Sequence, residues 1–256
     1  MQVVIFAGGT GSRLSEYTEQ IPKPLVPIGD SPIIHHIMKI YAKQGFTDFV
    51  ICLGYKGYLI KEYFYNYYAH NTDMKINLKT NEIIYYNDPS EDWTVSLIDT
   101  GVESLTGSRL LKIKDYIKGD FLCTYGDGVG DVNINSLIEF HNEHNRVATL
   151  TAVQVANRFG VLKLNENQVE VFQEKPINES SWINAGFFVF SEKIFDYLEQ
   201  EQDNFDLAFT LSNLAHNNEL SAYRHNGFWK AMDTLQDKRV LDSLWNENKA
   251  PWRYND

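Results

Sequence analysis

The stretch Gln2-Val3-Val4-Ile5-Phe6-Ala7 runs straight into Gly8-Gly9-Thr10-Gly11-Ser12-Arg13-Leu14. Its first half is apolar and β-branched without polar alternation, the pattern of a strand buried on both faces. Its second half is a glycine loop. A buried strand ending abruptly on glycines predicts a parallel sheet whose ligands gather at the carboxyl ends of its strands.

Outward from this stretch, strand and helix patterns alternate. Ser31-Pro32 predicts a helix start, with Ser31 as cap and Pro32 at the first helical position. Ile33, Ile34, Ile37, Met38 and Tyr41 follow at helical spacing as far as Gly45. Asp48 to Leu53 reads as a second buried strand, and Tyr58 to Tyr68 as a helix. Short strands are expected near Ile83 to Tyr86 and Val95 to Ile98, and a helical period over Leu110 to Ile117. Phe121 to Tyr125 is a third buried strand, ended by Gly126-Asp127-Gly128. Ile134 to Asn145 reads as a helix and Ala148 to Val155 as a strand. Beyond Phe159 come short strands (Val161 to Leu164, Val169 to Gln173, Ala185 to Phe190) and a last helix after Asp233. The expectation is α/β: a single Rossmann-like domain over residues 1–256, with a mostly parallel mixed sheet flanked by helices, extra β elements and a C-terminal helix. Residues 1–155 form its core and 156–256 its further elements.

Composition narrows the function. The 256 residues are 43% hydrophobic and 22% charged, with 34 acidic against 23 basic side chains and a net charge of −11. That balance excludes a general affinity for nucleic acid or an anionic membrane, which needs a basic face. A small anion in a local cationic pocket stays open. Cys52 and Cys123 stand alone in apolar runs and read as buried thiols. The start of the chain has no basic n-region, and no apolar run reaches the roughly 18 residues of a spanning helix, so a cytoplasmic protein is expected.

The glycine loop fails two familiar patterns. A P-loop requires Lys followed by Ser or Thr at its end, and a dinucleotide loop a third glycine where Leu14 stands. What remains is a run of backbone N–H groups open to phosphate or a base, with Arg13 as a planar cation suited to phosphate. In Pro22-Lys23-Pro24 the two prolines predict an extended course that fixes where Lys23 projects. Asp127 reads equally as a turn residue or a hard oxygen ligand. Asp233 reads equally as a ligand or as an acid favoured beside a helix N-terminus.

The ordered set G-G-x-G-x-R-L and P-K-P resembles the signature of the sugar-1-phosphate nucleotidylyltransferases. Further similar stretches span nearly the whole chain: Gly54-Tyr55-Lys56-Gly57-Tyr58, Asp99-Thr100-Gly101, Thr106-Gly107-Ser108-Arg109-Leu110, Thr124 to Gly128, Phe172 to Pro176, Met232-Asp233-Thr234 and Lys249-Ala250-Pro251-Trp252. Their details resemble the branch that uses CTP. The resemblance implies transfer of CMP from CTP to α-D-glucose 1-phosphate with Mg²⁺. It implies nucleotide contacts from Ala7, Gly8, Gly9, Gly11, Ser12, Arg13, Lys23, Thr106, Arg109 and Gly126. It further implies catalytic roles for Arg13, Lys23 and Asp127, metal ligation by Asp127 and Asp233, and sugar-phosphate contacts from Glu174, Lys175, Asn184 and Gly186. A homo-oligomer is implied as well. Ser108 replaces a glycine, Ala185 stands within what is usually Asn-Gly-Gly, and Lys230-Ala231 replaces Gln-Pro; these departures bear on substrate choice. The alternatives are the same chemistry with UTP, dTTP or another acceptor, or a non-catalytic nucleotide- or sugar-binding protein.

Three aromatic or histidine features have bland readings. His141 and His144 are expected on a solvated helix face and His35-His36 on a partly packed one. The aromatic run Tyr63 to Tyr68 is expected in the core or at a subunit contact. Trp229 and Tyr125 are candidates for the sugar pocket.

Overall fold

A computed structural model describes residues 1–87, 91–154, 161–165, 168–173, 182–201 and 203–253. Seven of its strands share one sheet: β1 (Val3–Ala7), β2 (Asp48–Leu53), β3 (Thr94–Asp99), β4 (Phe121–Tyr125), β5 (Ala148–Gln154), β6 (Trp182–Phe190) and β7 (Leu220–His225). Their spatial order is β7-β5-β6-β4-β1-β2-β3. β6 alone runs against its neighbours, pairing antiparallel with both β5 and β4. The sheet is thus mixed and mostly parallel, flanked by helices, as the alternating pattern implied.

The main helices are α1 (Ile33–Ala42), α2 (Gly57–Tyr65), α3 (Thr106–Lys112), α4 (Ile134–His144), α5 (Leu207–His216) and α6 (Leu235–Asn246). Every residue of β1 is buried. Successive side chains of a strand point to opposite faces, and the two apolar clusters divide accordingly. Val3, Ile5 and Ala7 join the cluster that holds Ile33, Ile37 and Met38 of α1. Val4 and Phe6 join the one that holds Leu110 of α3 and Leu207 and Leu211 of α5. Cys52 and Cys123 are free and buried. Among the described residues, no helix is long and apolar enough to cross a membrane.

Several local expectations are corrected. Ser31–Pro32 is not a helix cap but half of a small ribbon with Pro27–Ile28; α1 starts at Ile33 without a side-chain cap bond. The helix expected over Leu110 to Ile117 starts earlier, at Thr106, and gives way after Lys112 to a 3-10 turn, Lys114–Tyr116. His141 is buried rather than solvated, with Nδ1 2.8 Å from Thr149 Oγ1. It shares the i, i+3, i+7 stripe of Ile134 and Leu137, the other buried residues of α4. His36 is likewise buried, its Nε2 2.9 Å from the Ile28 carbonyl. The aromatic run is divided: Phe64 packs, partly buried, against the core, whereas Tyr65 is exposed and α2 fully buries only Gly57 and Ile60.

His35 is packed between the rings of Tyr67 and Trp93. Burial pushes its pKa down to about 4, against the pull of Glu91. The folded state therefore binds this proton more weakly than the unfolded chain. The associated stability is complete above pH 6.5 and lost as the pH falls towards about 4, a contribution on the order of 3 kcal/mol. Urea denaturation of His35→Gln should show a shallower loss of stability across that window than the parent protein.

Candidate active site

β2 lies on one side of β1 and β4 on the other, so the chains leaving the carboxyl ends of β1 and β4 diverge and open a crevice. A cleft of about 340 Å³ occupies this point. Its walls are Phe6 to Arg13, Lys23 and Pro24, Tyr125 to Asp127, Asp206, and the start of α3 with Ser104, Leu105, Thr106 and Arg109. Ala7, Gly8, Gly9, Gly11, Ser12, Arg13, Lys23, Thr106, Arg109, Gly126 and Asp127 therefore share one cavity.

The loop after β1 folds back on itself. Leu14 N–H donates to the Gly11 carbonyl at 2.9 Å, and Thr18 Oγ1 donates to the same oxygen at 3.1 Å. Gly11 has φ 64°, and a Cβ there would stand 2.8 Å from Thr18 Cγ2, so only glycine fits. The turn leaves the Arg13 side chain 73% exposed at the mouth.

Pro22 is extended, but Lys23–Leu25 forms a 3-10 turn instead of the expected extended run, closed by bonds from Leu25 N–H to Pro22 and from Val26 N–H to Lys23. The turn drives the Lys23 side chain inward, where only 11% of it is exposed. Its Nζ lies 2.6 Å from Asp127 Oδ2 and 2.8 Å from Asp233 Oδ1, and Arg13 Nη1 lies 3.1 Å from Asp233 Oδ2. Burial alone would lower the lysine's pKa; the two carboxylates outweigh it and hold the ammonium above its ordinary value.

A short ribbon brings the two aspartates together. Gly128–Gly130 pairs antiparallel with Trp229–Ala231, and Met232 N–H donates to the Asp127 carbonyl at 2.8 Å. Asp233 follows at once, and Thr234 then caps α6 in a reciprocal box with Asp237. Asp233 is thus both a residue beside a helix start and a member of the ion cluster. Two carboxylate oxygens within 2.8 Å of one cationic nitrogen can converge on a shared cation. This donor set fits Mg²⁺, which takes one or two carboxylates and completes its shell with phosphate oxygens and water. No cluster of three or more metal-ligating side chains occurs among the described residues.

Arg109 lines the cleft and also has a structural part. It is buried, and its guanidinium donates to the carbonyls of Leu53 (3.0 Å), Gly101 (2.8 Å), Gly8 (3.0 Å) and Val102 (3.1 Å), and to Thr100 Oγ1 (2.8 Å). It ties together the loops that follow β1, β2 and β3. Gly8 is needed for this reason: a Cβ there would lie 2.2 Å from Arg109 Nη1, whereas one at Gly9 would meet nothing within 4 Å. Arg109→Met should leave these acceptors without a donor and destabilise the fold by about 2–4 kcal/mol, read by urea denaturation.

Two of the departures from the family pattern make side-chain contacts of their own. Ser108 Oγ accepts from Phe205 N–H at 2.7 Å, and Lys230 Nζ pairs with Asp237 at 2.7 Å. The Ala185 carbonyl accepts from Trp229 Nε1 at 2.8 Å, a contact that any residue at this position would make, and Trp229 is not among the residues that line the cleft. Asn184 and Gly186 lie on β6 outside that lining, with Asn184 Oδ1 accepting from Gly186 N–H at 2.9 Å. Glu174 and Lys175 lie outside the described residues. Asp206 is a wall residue that the sequence reading missed, although its place before Leu207 carries the signature of a helix cap, and its side chain accepts from Ala208 N–H.

The family model for nucleotidyl transferases matches residues 2–246, and the chain belongs to that family. It is 47% identical over 255 residues to the glucose-1-phosphate cytidylyltransferase of Salmonella typhimurium, covering 99% of each chain. It is 41% identical over 254 residues to a probable glucose-1-phosphate cytidylyltransferase of Bacillus subtilis, again covering 99% of both. Among solved structures, a putative glucose-1-phosphate thymidylyltransferase from Bacillus anthracis superposes with a TM-score of 0.73 at 19% identity, covering 100% of this chain and 98% of that one, a likeness of fold.

Proposed function

We propose that this chain transfers CMP from CTP to α-D-glucose 1-phosphate, giving CDP-glucose and pyrophosphate. The observation that carries the reaction is the convergence of Arg13, Lys23, Asp127 and Asp233 at the mouth of the glycine loop. The choice of CTP and glucose 1-phosphate rests on the likeness to the two bacterial cytidylyltransferases along their full length.

In this reading a phosphate oxygen of the sugar phosphate attacks the α-phosphorus of CTP in line. A new P–O bond forms as the bond to the β-phosphate oxygen breaks, and pyrophosphate leaves on the far side. No side chain becomes covalently attached. The loop from Gly8 to Arg13 binds the nucleotide through its backbone N–H groups, and Thr106 and Gly126 close the walls. Lys23 and Arg13 hold the phosphates in register and balance charge that builds on the leaving group, so catalysis is positioning and electrostatics.

The formal charges of the cluster cancel, with two cations against two carboxylates. A triphosphate would therefore find little surplus positive charge there. Asp127 and Asp233 would hold Mg²⁺, which when bound neutralises triphosphate oxygens. Glu174, Lys175, Asn184 and Gly186 remain the proposed sugar-phosphate contacts. A homo-oligomer is proposed too, with the exposed Tyr65 and its neighbours on the contact face; a sedimentation mass of one chain would contradict it.

Steady-state assays of pyrophosphate release, with CTP, UTP, dTTP and ATP each set against several sugar 1-phosphates, test substrate choice. CTP with glucose 1-phosphate should have the highest kcat/KM. A preference for another nucleotide would move the chain to a different branch of the family, and no release from any pair would make it a binding protein.

A further inference from the structure

The stretch Gly54-Tyr55-Lys56-Gly57-Tyr58, singled out in the sequence, contributes no residue to the walls of the cleft. It joins β2 to α2. From there it grips the glycine loop, which does line the cleft.

Tyr55 reaches that loop at both ends. Its backbone N–H donates to the Gly8 carbonyl at 3.1 Å, and its hydroxyl donates to the Thr18 carbonyl at 3.1 Å. Gly8 opens the loop, and Thr18 ends the short helical turn Ser15–Thr18 that follows it. The Thr18 carbonyl needs an outside donor. In a helix it would accept from the N–H four residues on, but that residue is Pro22, which has none. The N–H three residues on, at Ile21, is committed to the Tyr17 carbonyl at 3.0 Å. Tyr55 supplies the bond that the chain around Thr18 lacks.

Thr18 in turn holds the segment that carries Arg13. It is only 3% exposed, and its hydroxyl shares one hydrogen between the carbonyls of Gly11 (3.1 Å) and Leu14 (3.2 Å). Ser12 and Arg13 lie between these two acceptors. The Arg13 side chain is largely exposed, so the backbone beneath it fixes where its guanidinium starts.

The gripping turn is itself tightly set. Lys56 stands at φ 49°, a left-handed conformation uncommon outside glycine. Its Nζ donates to the Glu19 carbonyl, one residue past Thr18, and stands 5.2 Å from the centre of the Tyr55 ring. Backbone strain of this kind persists where the surroundings impose it, and it clusters at ligand sites.

We propose that Tyr55 is a positioning residue for the nucleotide: through the Thr18 carbonyl it sets the turn of the glycine loop and so aims Arg13 at the triphosphate. This rests on the reading that the loop from Gly8 to Arg13 binds CTP. Tyr55 itself touches no substrate and acts through Thr18 and Arg13.

The test is steady-state kinetics of Y55F, which removes one hydroxyl and keeps the ring. Its KM for CTP should rise about three- to tenfold, the worth of one ordinary hydrogen bond. Its kcat and its KM for glucose 1-phosphate should stay within about twofold of the parent, the pattern of lost nucleotide binding alone. T18V should raise the KM for CTP likewise, and T18S, which keeps the hydroxyl, should restore it. In an R13Q background Y55F should change the KM for CTP by less than about twofold, because the group it aims is gone. The proposal is overturned if Y55F keeps the parent's KM for CTP, if it raises the KM for both substrates alike, or if its effect is the same with and without Arg13. A parent protein that turns over no CTP would remove the underlying reading and the proposal with it.

Discussion

Lys23→Ala should lower turnover with CTP, glucose 1-phosphate and Mg²⁺ by about 10²–10³-fold, the range found when a preorganised charge stabiliser is removed. The size of the effect follows from the lysine's surroundings. Its stem is fixed by the turn after Pro22, and two carboxylates keep its ammonium charged. It therefore meets the phosphates already oriented and already protonated. An ammonium has three donors, and Asp127 and Asp233 engage two of them. The third is available to a phosphate oxygen. Lys23→Arg should not restore the rate, because a planar fork cannot occupy a point between two carboxylates at these distances. The two aspartates are 31% and 27% exposed. Water can therefore take up much of the charge left behind, and a thermal melt should show the variant folded. A kcat near that of the parent would remove Lys23 from the reaction.

Asp127→Asn and Asp233→Asn should each raise the Mg²⁺ concentration for half-maximal rate by about tenfold or more, since even indirect supports of a metal are worth 10–100-fold in affinity. The two variants should differ in a second respect. Asp233 also holds Arg13, 3.1 Å away, whereas Asp127 pairs with Lys23 alone of these cations. Asp233→Asn should therefore also raise the KM for CTP as Arg13 loses its anchor. Mg²⁺ titration of the initial rate is the measurement. A curve unchanged from the parent in either variant would reject that residue as a ligand.

The parts of this site that were legible in the sequence are those written in contiguous residues. β1 and its glycine loop announce themselves because a continuous apolar run and a left-handed glycine are local requirements. The meeting of Asp127 with Asp233 was not legible from spacing. It depends on a ribbon of three residues a side, Gly128–Gly130 with Trp229–Ala231, too short to leave a periodic signal. Arg109 was legible as a cation at the ligand end but not as a buried clasp, because its five acceptors are one hydroxyl and four backbone carbonyls, which carry no residue code. His141 looks solvated in the sequence because it stands beside glutamates, although it falls on the same buried stripe as Ile134 and Leu137. Ser31–Pro32 carried a good helix-start signal, but its pairing with Pro27–Ile28 took that segment into a ribbon.

The proposed role of the glycine loop and of the Arg13, Lys23, Asp127 and Asp233 cluster is nucleotidyl transfer to a sugar phosphate. Its most direct test is to incubate the purified protein with CTP, glucose 1-phosphate and Mg²⁺ and follow both products by ³¹P NMR. CDP-glucose and pyrophosphate should appear in equal amounts, only when all three are present, and the reaction should run backwards when excess pyrophosphate is added. CTP consumed without CDP-glucose, or no turnover by a folded protein, would contradict it.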